Sequence, residues 1–334
     1  MTDTAAENTD QIDASRMLPI GVWAAVAALT IAGVCFAPLA TYVLMVAAFG
    51  FPHVICELRY CDQRFSARSS LGPLAVVGAL VGVVAALRIA GSSGLLSSYW
   101  ATLIELGTGA ALALAAAWFM RRWKVAGIAV ALAFGVGVVY APIATFFAWA
   151  WIHNLTPLGF IAEVTRGQER RRLLWTLSIF FLLVPAIVAT GVLHQAAFAL
   201  TGFNAADGPS AFGAGARPLG SFLPPGATVD SDIALFSAAV VAQAMHYVAV
   251  ILFLPRLIAT RPGVAQGSPL VPWPRRWTVF AWGVSGIAAA AFVVYGVDYT
   301  TARSVYGIAA AIHAWIELPI FLLALGGGFM TASR

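Results

Sequence analysis

Long apolar runs alternate along this chain with short loops that carry most of the charge. A membrane-crossing helix takes about 20 mostly apolar residues. Ten segments fit that description, at 18–36, 38–58, 71–90, 98–120, 125–139, 140–163, 173–193, 232–254, 277–297 and 302–326. The first–second and fifth–sixth boundaries are tight and are marked by Pro38 and Pro142. The pattern predicts an all-α fold, a polytopic membrane bundle of about ten transmembrane helices. Residues 1–17 are polar and acidic, without the basic start and short apolar core of a signal peptide, and are expected to form a disordered cytosolic tail. Residues 18–334 then form a single transmembrane domain. A long Gly- and Pro-rich outer loop at 194–230 interrupts it, as a lid or a disordered connection.

The charges test this division. Of the nineteen Lys and Arg, all but Arg88, Arg217 and Arg303 fall at the chain ends or in loops that follow even-numbered segments. Basic residues mark the cytoplasmic face. The alternation therefore predicts both termini inside, with the bacterial inner membrane as the expected location. It also accounts for the net charge of +5 without nucleic acid. Composition agrees, with 61% apolar and only 10% charged residues, which excludes an ordinary soluble domain. Cys35, Cys56 and Cys61 lie in or near the first two segments, in a spacing that suggests neither a disulfide nor a zinc site.

A short echo links two parts of the chain. Phe36-Ala37-Pro38-Leu39-Ala40-Thr41 opens the second segment and Tyr140-Ala141-Pro142-Ile143-Ala144-Thr145 opens the sixth. Duplication and convergent Pro-Ala composition both explain it.

Against this apolar background the ionisable residues stand out. Gly50-Phe51-Pro52-His53 is followed by Glu57, and His313 by Glu317, each pair four residues apart and so on one helix face. His153 and His246 each occupy a further segment. These four of the five histidines fall on the second, sixth, eighth and tenth segments, which all run from outside to inside. Intramembrane ionisable groups are costly unless they pair, bind a metal or line a wet cavity. Neutral imidazole is the commonest metal ligand near neutral pH, and carboxylates complete or orient such a shell. His53, His153, His246 and His313 are thus candidate metal ligands, for iron, copper or zinc, with Glu57 and Glu317 as ligands or orienting acids. Glu317 is the stronger candidate for a functional acid, because Arg59 offers Glu57 a rival partner. Tyr247, Gln243 and Asn154 add polar groups beside the histidines, Tyr247 as a candidate catalytic residue. His194 is expected at the outer interface, and Glu105 as a proton-relay group or, by a small margin, a neutral, helix-bonded carboxyl. Trp149, Trp151 and Trp315 lie deep beside His153 and His313, as pocket lining or bundle packing.

These patches resemble the Brp/Blh family of membrane β-carotene 15,15'-dioxygenases. Gly50-Phe51-Pro52-His53 with Glu57 resembles that family's Gly-x-Pro-His-x-x-x-Asp segment. Ile152-His153-Asn154, Met245-His246-Tyr247 and Ala311-Ile312-His313 with Glu317 are similar to its later histidine segments, in the same order. Two positions depart from it: Val250 stands where the family has a second histidine, and no acid lies near His153. The resemblance implies an iron(II) centre that activates dioxygen against a long apolar, carotenoid-like substrate entering from the bilayer. The residues themselves leave three functions open: a membrane oxygenase, a transporter moving protons or metal ions through His and Glu, and a subunit with a structural or haem site.

Overall fold

The computed structural model describes residues 18–65, 71–223, 228–259 and 269–325. The expected tail at 1–17 lies outside them, as do residues 224–227 of the outer loop and the end of the tenth segment. The described residues form helices and contain no strand. In chain order these are α1 (Ile20–Phe36), α2 (Pro38–Phe65), α3 (Leu71–Ser92), α4 (Ser98–Phe119), α5 (Lys124–Tyr140), α6 (Pro142–His153) and α7 (Thr156–Val164). There follow α8 (Gly167–Ala189), α9 (Val192–Thr201), α10 (229–259), α11 (Trp277–Val297) and α12 (Tyr299–Leu325). Two of them carry π-helical stretches, α8 at Ile179–Leu183 and α10 at Val248–Phe253.

Seven of the ten predicted segments are long and apolar enough to cross a membrane: those of α2, α3, α4, α8, α10, α11 and α12. The first and fifth, α1 and α5, are apolar helices of 17 residues. The sixth departs from a single span. It breaks after His153, and a new helix starts at Thr156-Pro157, where proline suits the first helical turn because its missing N–H has no intrahelical acceptor. The outward surfaces are apolar, with Leu29, Trp118, Val136 and Trp282 among the exposed side chains, as a bilayer-facing surface requires.

The echo recurs in three dimensions. Ala37 and Ala141 interrupt their chains with nearly the same backbone, φ −148° and ψ 66° against φ −147° and ψ 59°. In each case the threonine four residues on donates to that alanine's carbonyl, Thr41 at 2.8 Å and Thr145 at 2.9 Å.

α2, α10 and α12 form the interior. α12 packs against α2, α3, α4, α7 and α11, and α10 against α1, α2 and α8. Every residue from 236 to 250 of α10 is buried, its mostly apolar faces enclosed by neighbouring helices. The first halves of α2, α10 and α12 share one core, through Tyr42, Phe236 and Tyr306. Their last turns share another with α7, through Phe65, Phe160, Phe253 and Leu323. The three long helices therefore run parallel, and their histidines meet between the two cores. Arg64 closes the far end by pairing with Glu163 at 2.5 Å.

Three glycines seat three rings of α12. A Cβ on Gly50 would lie 2.7 Å from the Tyr306 ring. One on Gly109 would overlap Trp315, and one on Gly159 would overlap Phe321. At the head of α12, Asp298 accepts from Thr301 and from the Thr300 amide, and these bonds hold its exposed carboxyl below the ordinary value.

Among its described residues the outer loop carries short helical turns at Ala205–Asp207 and Arg217–Ser221. Gly191, in a left-handed conformation with φ 73°, ends α8, and the chain re-enters helix as α9. Leu219, Phe222 and Leu223 are then buried over the bundle.

Candidate metal centre

Four elements deliver the site. Pro52 lies inside α2 one residue before His53, and Glu57 follows one turn later on the same face. His153 is the last residue of α6, placed by the break in the sixth segment. His246 lies near the start of the π-helical stretch of α10. His313 and Glu317 are one turn apart on α12.

His53, Glu57, His153, His246 and His313 each present a ligand-type atom, and these atoms all lie within 4.8 Å of one another. His53 Nε2 and His313 Nε2 are 3.2 Å apart. Glu57 Oε2 is 3.4 Å from His246 Nε2 and 3.6 Å from His313 Nε2. Two donors on one ion at about 2.1 Å stand about 3.0 Å apart at a right angle and about 3.4 Å apart at the tetrahedral angle. The inner separations are therefore those of ligands around a common centre; the widest, up to 4.8 Å, exceeds the about 4.2 Å of two ligands opposite one another, so the cluster would contract on binding.

Satisfaction of polar groups points the same way. Glu57 is 0% exposed, and neither of its oxygens has a hydrogen-bond donor among the described residues. Both ring nitrogens of His246 also lack hydrogen-bond geometry. Buried polar atoms are nearly always satisfied, and a buried carboxylate without a partner is among the most expensive groups a protein can hold. A cation at the shared centre would satisfy Glu57 and one nitrogen of His246 together.

Glu317 has a different position. Its Oε2 lies 2.7 Å from His153 Nδ1, and both its oxygens accept from Thr156 Oγ1, at 3.1 and 3.2 Å. Thr156 Oγ1 is also 2.7 Å from the His153 carbonyl, so its single hydroxyl proton is shared between the helix break and the acid. The rival partner foreseen for Glu57 does not engage it. Arg59 turns to Pro274 O at 3.3 Å and lies over the Phe280 ring at 4.0 Å, because its long stem gains more by covering aromatic surface.

The Tyr247 ring stacks on His53, with centroids 4.3 Å apart. Its hydroxyl accepts from Gln243 at 2.8 Å and bonds Tyr306 at 3.1 Å. Glu105 is not the helix-bonded carboxyl that was expected. Arg88 grips it at 2.6 Å and Trp315 Nε1 donates to it at 2.8 Å, since the neighbouring helix brings a cation within reach. His194 bonds Ser237 at 3.1 Å and stands apart from the cluster. Trp149 and Trp315 stack at 4.9 Å and line the site. The three cysteines are free and outside the cluster.

A cavity of about 240 Å³ opens on the four histidines. Its outer part is bounded by Tyr42, Arg88, Ser221 and Arg303. A larger cavity, about 730 Å³, lies between the far ends of α2, α10 and α11 and touches none of the cluster. Sequence reasoning missed Thr156, Tyr306 and Ser221 as residues around the site. Of these only Tyr306 had a local signal, seven residues before His313 and on its face.

No family model, curated protein or solved structure matches the chain.

Proposed function

We propose that this chain is a membrane metalloenzyme, a non-haem iron-dependent oxygenase acting on a lipophilic, carotenoid-like substrate. The convergence of five ligand-type side chains, four of them buried and one of those a carboxylate without a hydrogen-bond donor, carries this reading. Imidazoles with a carboxylate suit iron(II), while copper and zinc remain lesser candidates for the same donors. Bound iron(II) would supply dioxygen activation. The chain's own groups do the rest. Glu317, itself held by Thr156, lies 2.7 Å from His153 Nδ1, and this pairing would leave Nε2 to face the metal. Trp149 and Trp315 wall the cavity against water. In this reading the chain crosses the bacterial inner membrane ten times, α6 and α7 making one broken crossing, with both termini cytoplasmic.

The transporter reading needs a polar path on both sides of the cluster. On the far side Tyr60, Phe65, Phe160 and Phe253 belong to one continuous core, which favours a closed pocket over a conduit. The deciding experiment is elemental analysis of the purified protein with an absorption spectrum. Stoichiometric iron without a haem band is the expected result. Protein that is metal-free as isolated and binds no iron(II) in an anaerobic titration would defeat the proposal.

A further inference from the structure

The cavity above the histidines holds two arginines, and they are not equivalent. Arg88 has its counter-ion in Glu105. Arg303 meets no carboxylate among the described residues. It donates to Ser221 Oγ at 3.1 Å and lies 5.5 Å from the Tyr306 ring. Ser221 in turn accepts from the Tyr42 hydroxyl at 2.9 Å.

The direction of Arg303 adds to this. It stands in the first turns of α12, and an arginine near a helix end in a membrane normally reaches outward to water. Here its guanidinium folds the other way, over Gly307 one turn further in, where an added Cβ would lie 3.2 Å from its Nη1. The cation is thus aimed into the cavity that leads to the histidines. Even a partly buried cation without an anion is costly, and cation–π contact offsets only part of that cost. Gly307 precedes His313 by six residues, about 9 Å of helix rise.

We infer that Arg303, with Ser221 and the Tyr42 hydroxyl, binds the anionic head of an amphiphilic substrate, a long-chain carboxylate, and so directs its apolar chain toward the histidine cluster. This inference rests on the proposed function for the meaning of the cluster but on its own geometry for the binding. A wholly apolar polyene would leave the arginine unanswered.

The test uses cis-parinaric acid, a fluorescent polyene carboxylate, and its uncharged methyl ester, titrated into the purified full chain. The wild type should bind the acid about tenfold to a hundredfold more tightly than the ester, the range for charge-assisted hydrogen bonds. Arg303→Gln should abolish that preference, Arg303→Lys should retain part of it, and Arg217→Gln should leave it whole. Equal binding of acid and ester by the wild type, or an unchanged preference in Arg303→Gln, would overturn the inference. Displacement of the probe by phosphatidylglycerol as readily as by unlabelled fatty acid would also overturn it, by assigning the site to a membrane lipid. Metal content is measured on the same samples. An Arg303-dependent preference in a protein that binds no metal would defeat the proposed function and spare the subsite. Iron without the preference would do the reverse.

Discussion

Glu57→Gln separates a ligand from a structural acid, because the two roles predict opposite signs. The side chain is wholly buried, its oxygens find no donor among the described residues, and its nearest polar neighbours are two imidazole nitrogens at 3.4 and 3.6 Å. Without metal, such a carboxylate is a net cost of several kcal/mol unless it takes up a proton or charges a histidine. Glutamine keeps the shape and removes the charge, so the metal-free variant should be as stable as the wild type or more so. With metal the order reverses. Loss of an orienting partner costs about 10–100-fold in affinity, and loss of an anionic ligand costs more. A thousandfold loss corresponds to about 4 kcal/mol. At free metal one hundred times the wild-type Kd, the wild type gains about 2.7 kcal/mol from binding and the variant almost nothing. The assay is a thermal melt in detergent, with chelator and then with iron(II) under anaerobic conditions. The wild-type midpoint should rise by a few degrees on adding metal, and the variant's should not move. A variant that melts lower than the wild type in chelator would identify Glu57 as structural. An unchanged metal-dependent rise would remove it from the ligand set.

Three further outcomes follow from the same geometry. His53→Ala, His153→Ala, His246→Ala and His313→Ala should each strip most of the metal found by elemental analysis, while His194→Ala, which lies outside the cluster, should keep it. Glu317→Gln and Thr156→Val should both weaken metal retention by about 10–100-fold in a chelator competition, because both act through the His153 ring. Gly109→Ala forces Trp315 from its seat and should lower stability by about 1–3 kcal/mol in a denaturant titration; a smaller change would show that α4 and α12 separate easily.

The histidines were legible because the background is so apolar: each is a polar exception in a run that has to be explained. The three arginines that break the charge alternation were legible for the same reason. Arg88 grips Glu105, Arg217 bonds Thr300 at 2.9 Å, and Arg303 faces the cavity. What could not be read was pairing across helices. Whether Glu57 turned to Arg59 or to the histidines depended on where Phe280 lay, more than two hundred residues away. The break after His153 had a local mark, Thr156-Pro157, which the apolar run around it concealed. Thr156 reaches Glu317 only because that break redirects the chain.

The three rings of α12 that rest on Gly50, Gly109 and Gly159 bear on motion. Each notch belongs to a different helix, α2, α4 or α7, so the three seats fix both the rotation and the depth of α12. A slide of one helical turn, about 5.4 Å, would have to lift all three rings at once. His313 and Glu317 ride on that helix and inherit its immobility. A rocking mechanism that exposed the cluster first to one side and then to the other would have to work without moving α12.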